Sequence, residues 1–150
     1  MLTGILQLLL CRDLNKLKEE LELYRDEASI WHIDGSILNS AGNLCLHLVG
    51  NLNTYIGAIL GDSGYVRNRP EEFSLKYIPR DELVRKIEQT IAVIEATLPL
   101  VTDVQMQSEY PQEINGGKQT TGYFLVHLAT HLSYHLGQVN YHRRLLDRKE

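Results

Sequence analysis

Apolar residues recur every three or four positions along four stretches of this chain, and polar residues fill the gaps between them. From Leu2 to about Arg25 the apolar set is Leu6, Leu9/Leu10, Leu14, Leu17, Leu21 and Tyr24, interleaved with Arg12, Lys16, Lys18, Glu19 and Glu20. A helix turns about 100° per residue, so this spacing predicts one long amphipathic helix. A second helix is expected from about Ser40 to Leu60, with Asn39 or Ser40 as N-cap and Gly61 as a stop signal. Leu44, Leu48, Leu52, Tyr55 and Ile59 form its apolar arc, and His47 falls on the flank. Pro79 with Arg80, Asp81 and Glu82 opens a third helix, whose stripe of Leu83, Ile87, Ile91 and Ile94 runs to about Leu98, before Pro99. The last helix starts at Thr120 or Thr121 and gathers Phe124, Leu128, Leu132, Val139 and Leu146 on one arc.

The intervening segments lack that period. Glu27 to Asn39 carries Gly35, with Trp31 and Ile33 expected to fold back onto the helices and Trp31 to act as a plug. Gly61 to Ile78 reads as a polar loop, and so does Thr102 to Gln119 with Pro111 and Gly116-Gly117. Asp103, Glu109 and Glu113 in the latter read as solvated charge ahead of an active-site rim. Four long helices joined by loops predict an all-α, four-helix-bundle fold over residues 1–150 as one domain. Gly42, Gly50 and Gly57 weaken the second helix by about 1 kcal/mol each relative to Ala. They either admit another helix at close range, including one from a second subunit, or serve no purpose.

A net charge of −4 leaves no basic excess for phosphate neutralisation, which argues against nucleic acid or an anionic membrane as partner. The basic tail Arg143, Arg144, Arg148 and Lys149 suits the negative end of a helix dipole. Cys11 and Cys45 form neither a CxxC pair nor a disulfide framework, which points to a reducing, cytoplasmic setting. Met1 to Leu10 lacks the basic start and cleavage site of a signal peptide, and no run is expected to reach the roughly 20 apolar residues that span a bilayer.

Chemistry concentrates near the end of the chain. Four of six histidines lie in the last helix, and His127, His131 and His135 follow at spacings of four. Such residues stack on nearly one face, where imidazoles can share a transition-metal ion if a third ligand arrives from another helix. His131, His135 and His142 project to the edge of the apolar arc, with His127 and Gln138 further round. His47, in the most apolar helix, is the best third candidate. From the residues alone, the pattern admits a metal clamp or a polar seam between helices.

The segment HLSYHLGQV, with LCLHLVGNL in the second helix, resembles the DinB/YfiT-like superfamily of four-helix-bundle proteins. The resemblance covers nearly the whole chain in helix order and length. It implies a metal site at His47, His131 and His135, with Gly137 and Gln138 matching the motif that follows the second histidine of the pair. Leu136 stands where many members carry arginine, so any role of that arginine is absent or moved. His127 and His142 have no ligand counterpart.

Three neutral imidazoles would hold a divalent ion at about 2.0–2.1 Å and leave a coordination position open, as catalytic sites do. Cys45 lies on a different face from His47 and is a poor fourth ligand. Zinc and nickel come first as the ion, with iron and manganese also suited to these ligands. Asn43 and Asn51, a turn either side of His47, and Tyr134 and Gln138 are expected to orient the imidazoles. Glu109 and Glu113 are the nearest acids for a general base. The resemblance implies a metal-dependent enzyme acting on small molecules, either a transferase using a low-molecular-weight thiol or a hydrolase. The alternative is a non-catalytic metal-binding or stress-response module, and the resemblance together with the glycine-bearing second helix suggests a homodimer.

Overall fold

A computed structural model describes residues 1–147; Arg148 and Lys149 of the basic tail lie outside the described residues. The apolar stripes become four long helices. These are α1 (Leu2–Leu23), α2 (Ala41–Gly61), α4 (Arg80–Thr97) and α6 (Thr121–Leu146). Two short helices, α3 (Arg69–Ser74) and α5 (Asp103–Gln107), lie where the sequence reads as loop. The expected all-helical class therefore holds, while the described residues carry six helices and not four. Tight turns of 3-10 type cover Glu27–Trp31 and Leu98–Leu100.

The long helices pack in a ring, with α1 against α4 and α6, and α2 against the same two from the other side. Leu10, Leu14, Leu17 and Leu21 of α1 meet Leu83, Ile87 and Ile94 of α4 and Leu128 and Leu132 of α6 in one fully buried core. Nearly every residue of α2 up to Asn53 is buried, because α3 covers the face that the ring leaves open. By length and hydropathy α2 is long and apolar enough to cross a membrane, contrary to the sequence expectation. Of its apolar 18-residue stretch 67% is buried inside the protein, as suits a core helix.

Caps set the starts of these helices. The Ser40 hydroxyl accepts from Asn43 N–H at 3.1 Å and Thr120 from Tyr123 N–H at 3.2 Å, resolving both cap choices. Asn68 caps α3, and Thr102 with Gln105 forms a reciprocal capping box on α5. Pro79 is the cap residue of α4, one position before the helix. At the far end of α2, Gly61 is still helical, and Asp62 takes the left-handed conformation that ends it.

Contacts within the chain account for the glycines of α2. A Cβ on Gly42 would lie 2.6 Å from the Trp31 ring, and one on Gly57 would lie 2.9 Å from Val93. Gly50 admits the carboxylate of Glu72, and a Cβ on Gly61 would stand 2.6 Å from Thr97 Oγ1. Trp31 is 6% exposed, so the expected plug is formed, and it packs on Gly42. Between Asn53 and Ala58 α2 widens into π-helical turns. Asn53 Nδ2 donates to Val49 O and to Thr90 Oγ1, both at 2.8 Å, and Thr54 Oγ1 donates to Gly50 O at 2.7 Å. These side chains compete for the carbonyls of the preceding turn, a known cause of local distortion.

Candidate metal centre

The ring places the middle of α2 beside the middle of α6, and three imidazoles meet there. His47 comes from α2, and His131 and His135 come from successive turns of α6. His131 Nε2 lies 3.3 Å from His47 Nε2 and 3.1 Å from His135 Nε2. One nitrogen from each ring lies within 4.8 Å of the others, a grouping that could hold a metal ion. Nitrogens around a tetrahedral ion at 2.0–2.1 Å stand about 3.3 Å apart, so the spacing suits one.

Two of the rings have fixed orientation. Glu72 Oε1 lies 3.1 Å from His47 Nδ1, and a carboxylate oxygen only accepts, so Nδ1 carries the proton. His135 Nδ1 lies 2.6 Å from Gln138 Oε1 and donates to it in this orientation of the amide. Both Nε2 atoms are then bare lone pairs aimed at His131. A proton on His131 Nε2 would satisfy one of these neighbours, whereas a divalent cation among the three would satisfy all of them. The donor set therefore fits a divalent ion. His131 Nδ1 is buried with no partner among the described residues.

Electrostatics favour the neutral form of His47 and His131. Burial lowers the His131 pKa to about 4, helped by any positive charge on His135, His47, His127 and Arg67. Burial also lowers that of His47, opposed by the hydrogen bond and charge of Glu72. Neutral imidazole is the form that binds metal. Cys45 is fully buried, which raises its thiol to about 12 and withholds the thiolate that a fourth ligand would need.

Glu72, in the middle of α3, is 6% exposed. Arg67 grips it with Nε on Oε2 and Nη2 on Oε1, each at 2.8 Å. The Arg67 guanidinium also lies over the Tyr55 ring, 5.8 Å from its centroid. Phe73, the next residue of α3, packs on the His47 ring at 5.1 Å. Neither Glu72 nor Arg67 stands out in the sequence, since both sit in a segment that reads as polar loop. The only local signals are the Asn68, Pro70, Glu71 and Glu72 helix start, and a glycine three residues after His47.

Other expected neighbours take different roles. Asn43 makes no hydrogen bond to His47; its Nδ2 donates to the Glu72 and Leu75 carbonyls at 2.9 Å, pinning α3 to α2. Asn51 makes no hydrogen bond to His47 and leaves Oδ1 buried without a partner among the described residues. Tyr134 sets its ring edge against His135 at 5.4 Å. His127 is exposed and lies between Phe124 and His131, with centroids at 5.9 and 6.2 Å. His142, expected at the edge of the arc, is 3% exposed, donating from Nε2 to His32 O and accepting from Tyr24 Oη, both at 2.7 Å. It ties α6 to the end of α1. Glu109 pairs with Lys118 at 3.0 Å on the surface, and Glu113 is exposed, in keeping with solvated charge.

A cleft of about 420 Å³ opens one turn from the histidines on both helices. Leu44 and Gln138 share its wall with Ile37, Leu38 and Tyr141. Gln138 thus joins this mostly apolar space to His135.

Among curated proteins nothing matches the chain. The family model described as the DinB family matches residues 18–148, which include all three converging histidines and the whole ring from α2 onward, and the chain belongs to the DinB family.

Proposed function

We propose that His47, His131 and His135 bind a divalent transition metal and that the protein is a metal-dependent enzyme acting on small molecules. The observation that carries this reading is the meeting of three Nε2 atoms, two of them fixed as bare lone pairs. Three histidine ligands without a fourth protein donor are typical of catalytic rather than structural sites. Bound there, a divalent ion supplies Lewis acidity that favours the deprotonated form of a thiol or a water. The chain's own residues do the rest: Glu72 and Gln138 aim the rings, and Phe73 shields His47 from water. The adjoining cleft has the size and apolar lining for a small molecule.

The reaction we infer is transfer from a low-molecular-weight thiol to an electrophile, or hydrolysis, in a cytoplasmic homodimer without nucleic-acid or membrane partners. Zinc and nickel are the first choices of ion, ahead of iron and manganese. Metal analysis of untagged protein beside a His131→Ala/His135→Ala variant tests the site. Near-stoichiometric metal in the first and none in the second is expected, and equal, negligible metal in both would sink the idea.

A second reading, a non-catalytic metal-binding module, is favoured by one observation. Glu72, the carboxylate beside the histidines, is held by Arg67 and His47, which leaves it poorly placed to take a proton from substrate. Turnover assays with a panel of thiols and electrophiles on metal-loaded protein separate the two. Binding without turnover supports the module.

A further inference from the structure

The Arg67–Glu72 pair is a costly thing to build. Burying a carboxylate and a guanidinium forfeits much of the hydration of each ion, and an apolar pair of similar volume would often be as stable. Yet several features of the chain serve this one carboxylate. Gly50 leaves the space it occupies, since any Cβ there would overlap Glu72 Oε2. Asn43 holds the backbone of α3 through the Glu72 and Leu75 carbonyls. Lys76 in turn reaches Asn43 Oδ1. Arg67 saturates Oε2 and shares Oε1 with His47.

We propose that Glu72 is a positioning residue for the metal centre, fixing His47 as the tautomer with Nδ1 protonated and Nε2 free, and that Arg67 holds it in that task. This rests on the metal reading given above. The chemistry requires a carboxylate, because only a carboxylate offers two acceptor oxygens and no donor. Oε2 meets Arg67 Nε, and Oε1 must serve both Arg67 Nη2 and His47 Nδ1. The neutral isostere glutamine has one acceptor oxygen and cannot answer all three donors. With the oxygen toward Arg67 Nε its NH2 faces His47 Nδ1 and favours the Nε2-protonated ring, which blocks coordination; with the oxygen toward His47 it sets the NH2 against Arg67 Nε, so His47 is no longer held to one tautomer. His131 has no such partner, and His135 relies on an amide, so the anionic acceptor raises ligand basicity at His47 alone.

The test has two parts. In metal-free wild-type protein, long-range proton–nitrogen correlation spectra read the tautomer of each histidine. His47 should show Nδ1 protonated and Nε2 bare, and an Nε2-protonated ring would overturn the proposal without any variant. Co2+ titration against a competing chelator then compares wild type with Glu72→Gln. The variant should bind about 10–100-fold more weakly, the range for loss of such an orienting group. Its His47 should lose the uniform Nδ1-protonated form in the metal-free spectrum while His135 keeps its Nδ1 proton against Gln138, whereas general loosening of the site would move both rings. Equal affinity in the two proteins overturns this role and leaves the metal site standing. Failure of wild type to take up Co2+ overturns both.

Discussion

Gly50 and Gly137 are both helical glycines, yet a methyl group would meet opposite surroundings at the two. At Gly137 nothing lies within 4 Å, so Gly137→Ala should stabilise α6 by up to about 1 kcal/mol through helix propensity. At Gly50 the added carbon would overlap the carboxylate of Glu72. A free glutamate would swing aside at little cost, but this one is buried and held by Arg67 and His47. Gly50→Ala should therefore lose about 1–3 kcal/mol to overpacking, more than the propensity gain returns. Urea unfolding followed by circular dichroism gives both values. A Gly50→Ala protein as stable as wild type would mean that Glu72 yields, and that its grip on His47 is loose.

At the scale of elements, the structure hangs on how α2 is started and covered. Ser40 is fully buried, accepts from Asn43 N–H and donates to Asn43 Oδ1 at 2.7 Å. Ser40→Ala strips the Asn43 N–H of its cap, while Asn43 Oδ1 keeps Lys76 as donor, and should cost about 1–2 kcal/mol because the cap is buried. Thr102→Ala, at the exposed five-residue α5, should cost clearly less in the same unfolding assay. The four long helices were legible because their stripes repeat over 18 residues or more, long enough for period to outweigh local noise. A six-residue helix such as α3 completes less than two turns and shows no period, so its cap and Pro70 were the only signs of it. The histidine pair on α6 was legible for the same reason as the stripes, since spacing alone puts His131 and His135 on one face. Glu72 was not, because nothing local links it to a histidine 25 residues earlier. The glycines were partly legible: their spacing offered the close approach of another helix, and Gly50 and Gly57 do admit side chains of α3 and α4, while Gly42 meets Trp31 of the preceding loop.

For the whole molecule, the lowered histidine pKa values turn protonation into a stability effect. His47, His131 and His142 all bind protons less readily in the fold than the ordinary value of 6.5 allows, chiefly through burial. Below that value the unfolded chain takes up more protons than the native one, so stability falls as pH falls. For His131 the loss extends from about 6.5 down to about 4. The metal-free protein should be most stable above pH 6.5 and weaken steadily toward acid. A divalent ion bound to the native state adds RT ln(1 + [L]/Kd), about 2.7 kcal/mol at a hundred times Kd. Protons compete with the ion for the same Nε2 atoms, so that increment should itself shrink on acidification. Urea midpoints with and without saturating Zn2+ at pH 7.5 and at pH 5 measure both effects together. Wild type should show a clear zinc increment at the higher pH and a small one at the lower, whereas His131→Ala/His135→Ala should show none at either. That double variant should also lose part of the acid sensitivity, because it removes the group with the most depressed pKa of the three. An acid response identical to wild type would place the titrating groups elsewhere, with His142, bound to Tyr24 and His32, the first to examine.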